Sequence, residues 1–64
     1  MNTQKRDILI SLRKSRNWTQ KELAEKVGTR QQTVCAWEQG NRSPTLQKAK
    51  KLAEVFEIPI ESFL

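Results

Sequence analysis

Residues 19–40 read TQKELAEKVGTRQQTVCAWEQG, and this stretch specifies two short helices with a tight turn between them. The opening Thr-Gln-Lys-Glu is a capping box: the Thr19 hydroxyl accepts from the amide of Glu22, and the Glu22 carboxylate accepts from the amide of Thr19. Trp18, just before the cap, is placed to staple onto Leu23. Leu23, Ala24 and Val27 share one helical face. Gly28 ends the helix, where a left-handed backbone costs glycine least. A second helix runs from about Gln31 to Gln39 and stops at Gly40. Val34 and Trp37 lie on one of its faces; Gln32, Cys35, Ala36 and Gln39 lie on the opposite one. That outer face is polar yet neutral, with glutamines adjacent at 31 and 32. A merely solvated helix carries Lys and Glu there instead.

Taken as one unit, residues 20–37 meet the requirements of a helix-turn-helix that reads DNA. A steep crossing of the two helices needs a small residue on the first, and Ala24 supplies it. The turn needs a permissive backbone four residues later, which is Gly28. The second helix must plug into the core at two points three residues apart, Val34 and Trp37, with Leu23 and Val27 completing the inner face. Such a helix protrudes, its outer face and N-terminus available to a major groove. An ordinary corner between two helices accounts for neither the glutamine pair nor the distribution of charge.

The flanking sequence is helical too. Only two Gly and two Pro occur, all at breaks, and no segment alternates with period two. A helix from about Thr3 to Ser15 carries Ile8, Leu9 and Leu12 as its apolar stripe and ends at Arg16-Asn17. Another runs from about Thr45 to Phe56, capped by Ser43 or Thr45, with Leu46, Ala49, Leu52, Ala53 and Phe56 inward and Lys48, Lys50 and Lys51 solvated. After Ile58-Pro59, a fifth short element spans Ile60 to Leu64. The expected fold is all-α, five helices in one domain over residues 1–64.

Sixty-four residues bury little surface, so such a domain is marginal unless something supports it. A single cysteine and no histidine leave no disulfide and no metal site, so good helix packing and a second copy of the chain are the expected supports. Enzymatic chemistry is not expected: the one thiol has no base partner and the seven carboxylates form no pair. No cofactor is implied. No apolar run approaches a membrane span and nothing resembles a secretory signal, which with a reduced thiol points to the cytoplasm. The net charge of +5 is unevenly spread: residues 1–16 carry +4, residues 17–51 carry +4 and residues 52–64 carry −3. A basic pole on a domain of pI 9.9 suits a polyanion.

Residues 19–40, with Ser43-Pro44-Thr45-Leu46, Leu52-Ala53 and the upstream Leu12-Arg13-Lys14, resemble the Cro/repressor-type (Xre-like) helix-turn-helix family, similar to the lambdoid phage repressor and Cro domains. The resemblance covers nearly the whole chain. It implies a lambda-repressor-like domain that binds operator DNA as a homodimer on a palindrome. By the same resemblance Gln20 meets a backbone phosphate, with Thr19 beside it at the helix entrance. Gln31 and Gln32 touch base edges, where an amide suits adenine N6/N7 but also donates to guanine. Ala36 faces the groove and offers only a methyl. Arg30, at the entrance of the reading helix, reaches a guanine or a phosphate. Arg13 and Glu38 form an ion pair that turns Arg13 toward the DNA backbone, and Asn41, Arg42 and Ser43 form a phosphate-contacting loop.

Three positions depart from the family pattern. Arg30 stands where Ser or Thr usually caps the reading helix, so the cap falls to Thr29 or is missing. Thr29 replaces a more usual aliphatic residue, and Ala36 replaces a long polar one. Recognition is then expected to lean on Gln31, Gln32 and Arg30, or on DNA shape. Cys35 reads as a small tolerated residue whose oxidation would alter the groove face. Ile58, Ile60, Phe63 and Leu64 make an apolar terminus expected to join two copies. The function expected is transcriptional regulation, as a repressor because no further domain is present to recruit polymerase. The alternative is an antitoxin-type protein that binds a partner protein and its own promoter.

Overall fold

Four α-helices and a final 3-10 turn make up the described residues, and each helix stops in the same way. The computed structural model describes residues 4–63, with side chains from residue 8. The helices are α1 (Gln4–Ser15), α2 (Gln20–Val27), α3 (Gln31–Gln39) and α4 (Leu46–Phe56); the 3-10 turn spans Ile60–Phe63. Among the described residues there is no strand. The expected fifth helix is thus a single 3-10 turn, too short after Pro59 to complete α-helical bonding. Thr3 and Leu64 lie outside the described residues.

Local chemistry explains the starts. The Thr19 hydroxyl accepts from the Glu22 amide at 3.0 Å, while the Thr19 amide donates to Glu22 Oε1 at 2.7 Å. The capping box read from the sequence is therefore complete. Thr45, not Ser43, caps α4 by accepting from the Lys48 amide at 3.3 Å. Arg30 occupies the cap position of α3 with no side-chain cap hydrogen bond, so that cap is missing.

The stops share a Schellman arrangement, in which a left-handed residue lets two amides reach back to carbonyls of the last turn. At α2, Gly28 (φ 73°) donates to Glu25 O and Thr29 to Ala24 O. At α3, Gly40 (φ 79°) donates to Trp37 O and Asn41 to Ala36 O. Helix α1 ends the same way on Asn17 (φ 59°), and α4 on Glu57 (φ 58°). The last case has no sequence signal, because Glu is neither Gly nor Asn.

The core comprises Leu9, Leu23, Ala24, Val27, Val34, Trp37, Ala49, Leu52, Phe56 and Phe63. Helix α2 packs on α3 and α4, α1 packs on α3, and the 3-10 turn closes over α4 and α1. A radius of gyration of 10.3 Å matches the roughly 10.7 Å of a compact 64-residue chain. Two apolar positions are not core as expected: Ile8 is 37% and Leu46 58% exposed. Leu46 is the first residue of α4, with no preceding turn for its side chain to lie over. Ile8 sits at the margin of a stripe centred on Leu9. Trp18 stacks on Phe56, ring centroids 5.5 Å apart, and packs against the core. Lys26 and Arg16 lie over its ring at 4.6 and 5.7 Å. Lys48 is not wholly solvated: its ammonium donates to Gly28 O at 3.1 Å, placing a positive charge at the C-terminal end of α2.

Candidate nucleic-acid interface

Helix α3 divides cleanly into an anchored side and a free side. Val34 is fully buried and Trp37 nearly so, and their burial pins the helix to the body. Gln31 and Gln32, on the other side, are exposed. With Gln20, Cys35, Ala36 and Gln39 they line a groove of about 300 Å³. The first residue of α2 and the outer face of α3 thus form one concavity. The uncapped start of α3 adds the positive end of a helix dipole beside it.

Most of the remaining predicted contact residues flank this concavity in sequence and are open to solvent, whereas the Arg13 side chain is only 13% exposed. Thr19, Arg30, Asn41, Arg42 and Ser43 are exposed, and Ala36 and Cys35 are half-buried. The Asn41 amide donates to Gln39 Oε1 at 3.1 Å, which ties the loop after α3 to that helix.

Behind the groove lies a polar joint between three helices. Glu38 is only 9% exposed. Its Oε2 accepts from Arg13 Nε at 2.6 Å, and its Oε1 accepts from Arg13 Nη2 at 3.1 Å. The same Oε1 accepts from Gln20 Nε2 at 2.9 Å. Arg13 Nη1 donates to the Trp18 carbonyl at 2.9 Å. A carboxylate removed from water needs such a set of donors, and a bidentate arginine is the strongest available. No buried side-chain nitrogen or oxygen among the described residues lacks a partner.

The ion pair of Arg13 and Glu38 was expected, but the Gln20 bond was not. The signal for it was present: Glu38 follows Trp37 on the inward side of α3, and a buried carboxylate calls for more than one donor group. This joint changes how two predicted phosphate contacts could work. Arg13 has three of its five N–H donors engaged within the chain, and Gln20 has one of two amide hydrogens engaged. Both retain donors for an anion, from fixed positions.

The predicted dimer residues separate. Phe63 is buried in its own chain's core, 6.3 Å from the Phe56 ring, so it holds the monomer together. Ile58 and Ile60 are half-buried against that core.

A helix-turn-helix family model matches residues 9–63, from the middle of α1 through the 3-10 turn. The chain belongs to this Xre-like helix-turn-helix family. Similar proteins include an uncharacterized HTH-type transcriptional regulator of Archaeoglobus fulgidus, 47% identical over 70% of this chain and 63% of its own length. The cryptic phage CTXphi transcriptional repressor RstR of Vibrio cholerae is 39% identical over 77% of this chain and 44% of its own length. The HTH-type transcriptional regulator AnsR of Bacillus subtilis is 33% identical over 91% of this chain and 50% of its own length. The chain therefore spans about half to six-tenths of the length of these relatives. No solved structure matches it at a significant level. Among the described residues of this helix-turn-helix protein, no helix is long and apolar enough to cross a membrane.

Proposed function

We propose that this helix-turn-helix protein is a sequence-specific double-stranded DNA-binding regulator that represses transcription, reading the major groove with α3. The observation that carries the proposal is the division of α3, with Val34 and Trp37 buried and Gln31 and Gln32 exposed along a groove. Glutamine amides carry a donor and an acceptor side by side, which suits the edge of adenine. Arg30 and Ala36 extend the base-facing set, and Thr19, Gln20, Arg13, Asn41, Arg42 and Ser43 hold phosphates. Phosphate contacts supply salt-dependent affinity, while the glutamines supply sequence choice.

Two copies complete the proposal. On a palindromic operator the two α3 helices sit about 34 Å apart, one turn of DNA. The half-buried Ile58 and Ile60, with Leu64, are the apolar residues proposed to join them.

Selection of bound sites from random duplex DNA tests this reading. A palindrome with half-sites about one helical turn apart is expected, and no enrichment over random sequence would refute sequence-specific binding. Gln32→Ala should then lower affinity for the selected site by about tenfold, given about 1–3 kcal/mol for a bidentate base contact, and leave nonspecific binding nearly unchanged. Equal losses on both would remove Gln32 from the base-reading set.

A further inference from the structure

The groove along α3 has glutamines at its rim but no polar group at the two positions between Gln32 and Gln39 that face it. Gln32, Cys35, Ala36 and Gln39 follow the i, i+3, i+4, i+7 spacing of one helical face, and all four line the groove. Cys35 and Ala36 are half-buried there, so α3 gives the floor a thiol and a methyl, with the half-buried Gln20 of α2, held by Glu38, at its side. A thiol behaves largely as a small hydrophobe.

We infer that Cys35 and Ala36 seat the C5-methyl group of a thymine, so each operator half-site carries a thymine whose methyl is read by contact alone. The inference rests on the DNA-reading role proposed above. In the major groove thymine alone among the four bases presents a methyl group, and its paired adenine presents the N6/N7 edge that a Gln amide fits. One A·T pair therefore satisfies both the rim and the floor of this groove. A G·C pair at the same place would press O6, N7 or N4 against a surface with little to offer them. Those edges would lose water without gaining a partner, which disfavours them by about tenfold. The floor thus excludes as well as attracts.

Deoxyuridine differs from thymidine only by the absent methyl, so it isolates the contact. On a selected operator, each thymine is replaced in turn by deoxyuridine, symmetrically in both half-sites, and affinity is measured for the parent, Ala36→Ser and Cys35→Ser chains. Burial of one methyl predicts about a fourfold loss per half-site at one thymine position and little elsewhere. That loss should shrink toward unity in Ala36→Ser or Cys35→Ser, where a hydroxyl occupies the floor. Replacing the same A·T pair by G·C, with and without a 5-methyl on its cytosine, should find the methylated form the tighter of the two. Specific binding that tolerates deoxyuridine at every thymine would overturn the methyl seat while leaving the DNA-reading role intact. A sensitive thymine whose loss is unaltered in both serine variants would also overturn it. Failure to enrich any duplex would overturn the DNA-reading role, and the methyl seat with it.

Discussion

Removing the Glu38 carboxylate should cost this domain a large fraction of its stability. In Glu38→Ala, Arg13 keeps only the Trp18 carbonyl as a partner, and Gln20 loses its acceptor. The pair is well shielded, with side-chain exposures of 13% for Arg13 and 7% for Glu38. Breaking a buried ion pair from one side costs about 3–5 kcal/mol, because a charge is left uncompensated. Two features lower that figure here. Arg13 retains one hydrogen bond, and its long stem lets the guanidinium turn toward water. A loss of about 2–3 kcal/mol remains, against a total stability of about 3–10 kcal/mol for a chain this short. The melting temperature should fall by about 10–20 °C. Thermal and urea unfolding followed by circular dichroism would measure it. Arg13→Met combined with Glu38→Leu should recover most of the loss, since apolar side chains of similar volume often replace a buried pair at little cost. If Glu38→Ala stays within about 0.5 kcal/mol of the parent, the size of a neutral surface change, then the joint is not a stability element and this reasoning fails.

Three further outcomes follow from the helix ends and the exposed loop. Glu57 ends α4 in the left-handed region at φ 58°. Glu57→Gly relieves about 1–2 kcal/mol of backbone cost, less the entropy that glycine adds to the unfolded chain. The melting temperature should therefore rise by about 3–8 °C, and a fall would refute the strain. At Gly28, φ is 73° and an added Cβ would meet nothing within 4 Å. Gly28→Ala should therefore cost only the backbone term, about 1 kcal/mol, read as a lower urea midpoint with unchanged slope. Arg42→Ala should weaken specific and nonspecific DNA binding together and flatten the salt dependence by about one unit; an unchanged slope would remove Arg42 from the phosphate set.

Most of the fold was legible because its signals are local. The capping box at Thr19 and the glycines at 28 and 40 set the bounds of α2 and α3, and the spacing of Val34 and Trp37 chose the buried face. What escaped the sequence depends on distant neighbours. Gln20 and Glu38 are eighteen residues apart and meet only once α2 crosses α3. Glu57 adopts its left-handed backbone because α4 must stop before Pro59, with no residue type announcing it. Leu46 and Ile8 are apolar and correctly phased, yet both stay outside the core, since periodicity reports a direction and not the presence of a neighbour. Phe63 looked like a residue for a second copy; Phe56 in its own chain claims it instead.

The two sides of α3 draw on separate sets of residues. Val34, Trp37 and Glu38 fix where the helix lies, while Gln31 and Gln32 stand exposed outside the core. The outward alphabet can therefore be rewritten while the scaffold stays constant. A library varied at Gln31 and Gln32 should keep nearly uniform melting behaviour while its members diverge in which duplexes they prefer, making this small domain a chassis for new addresses on DNA.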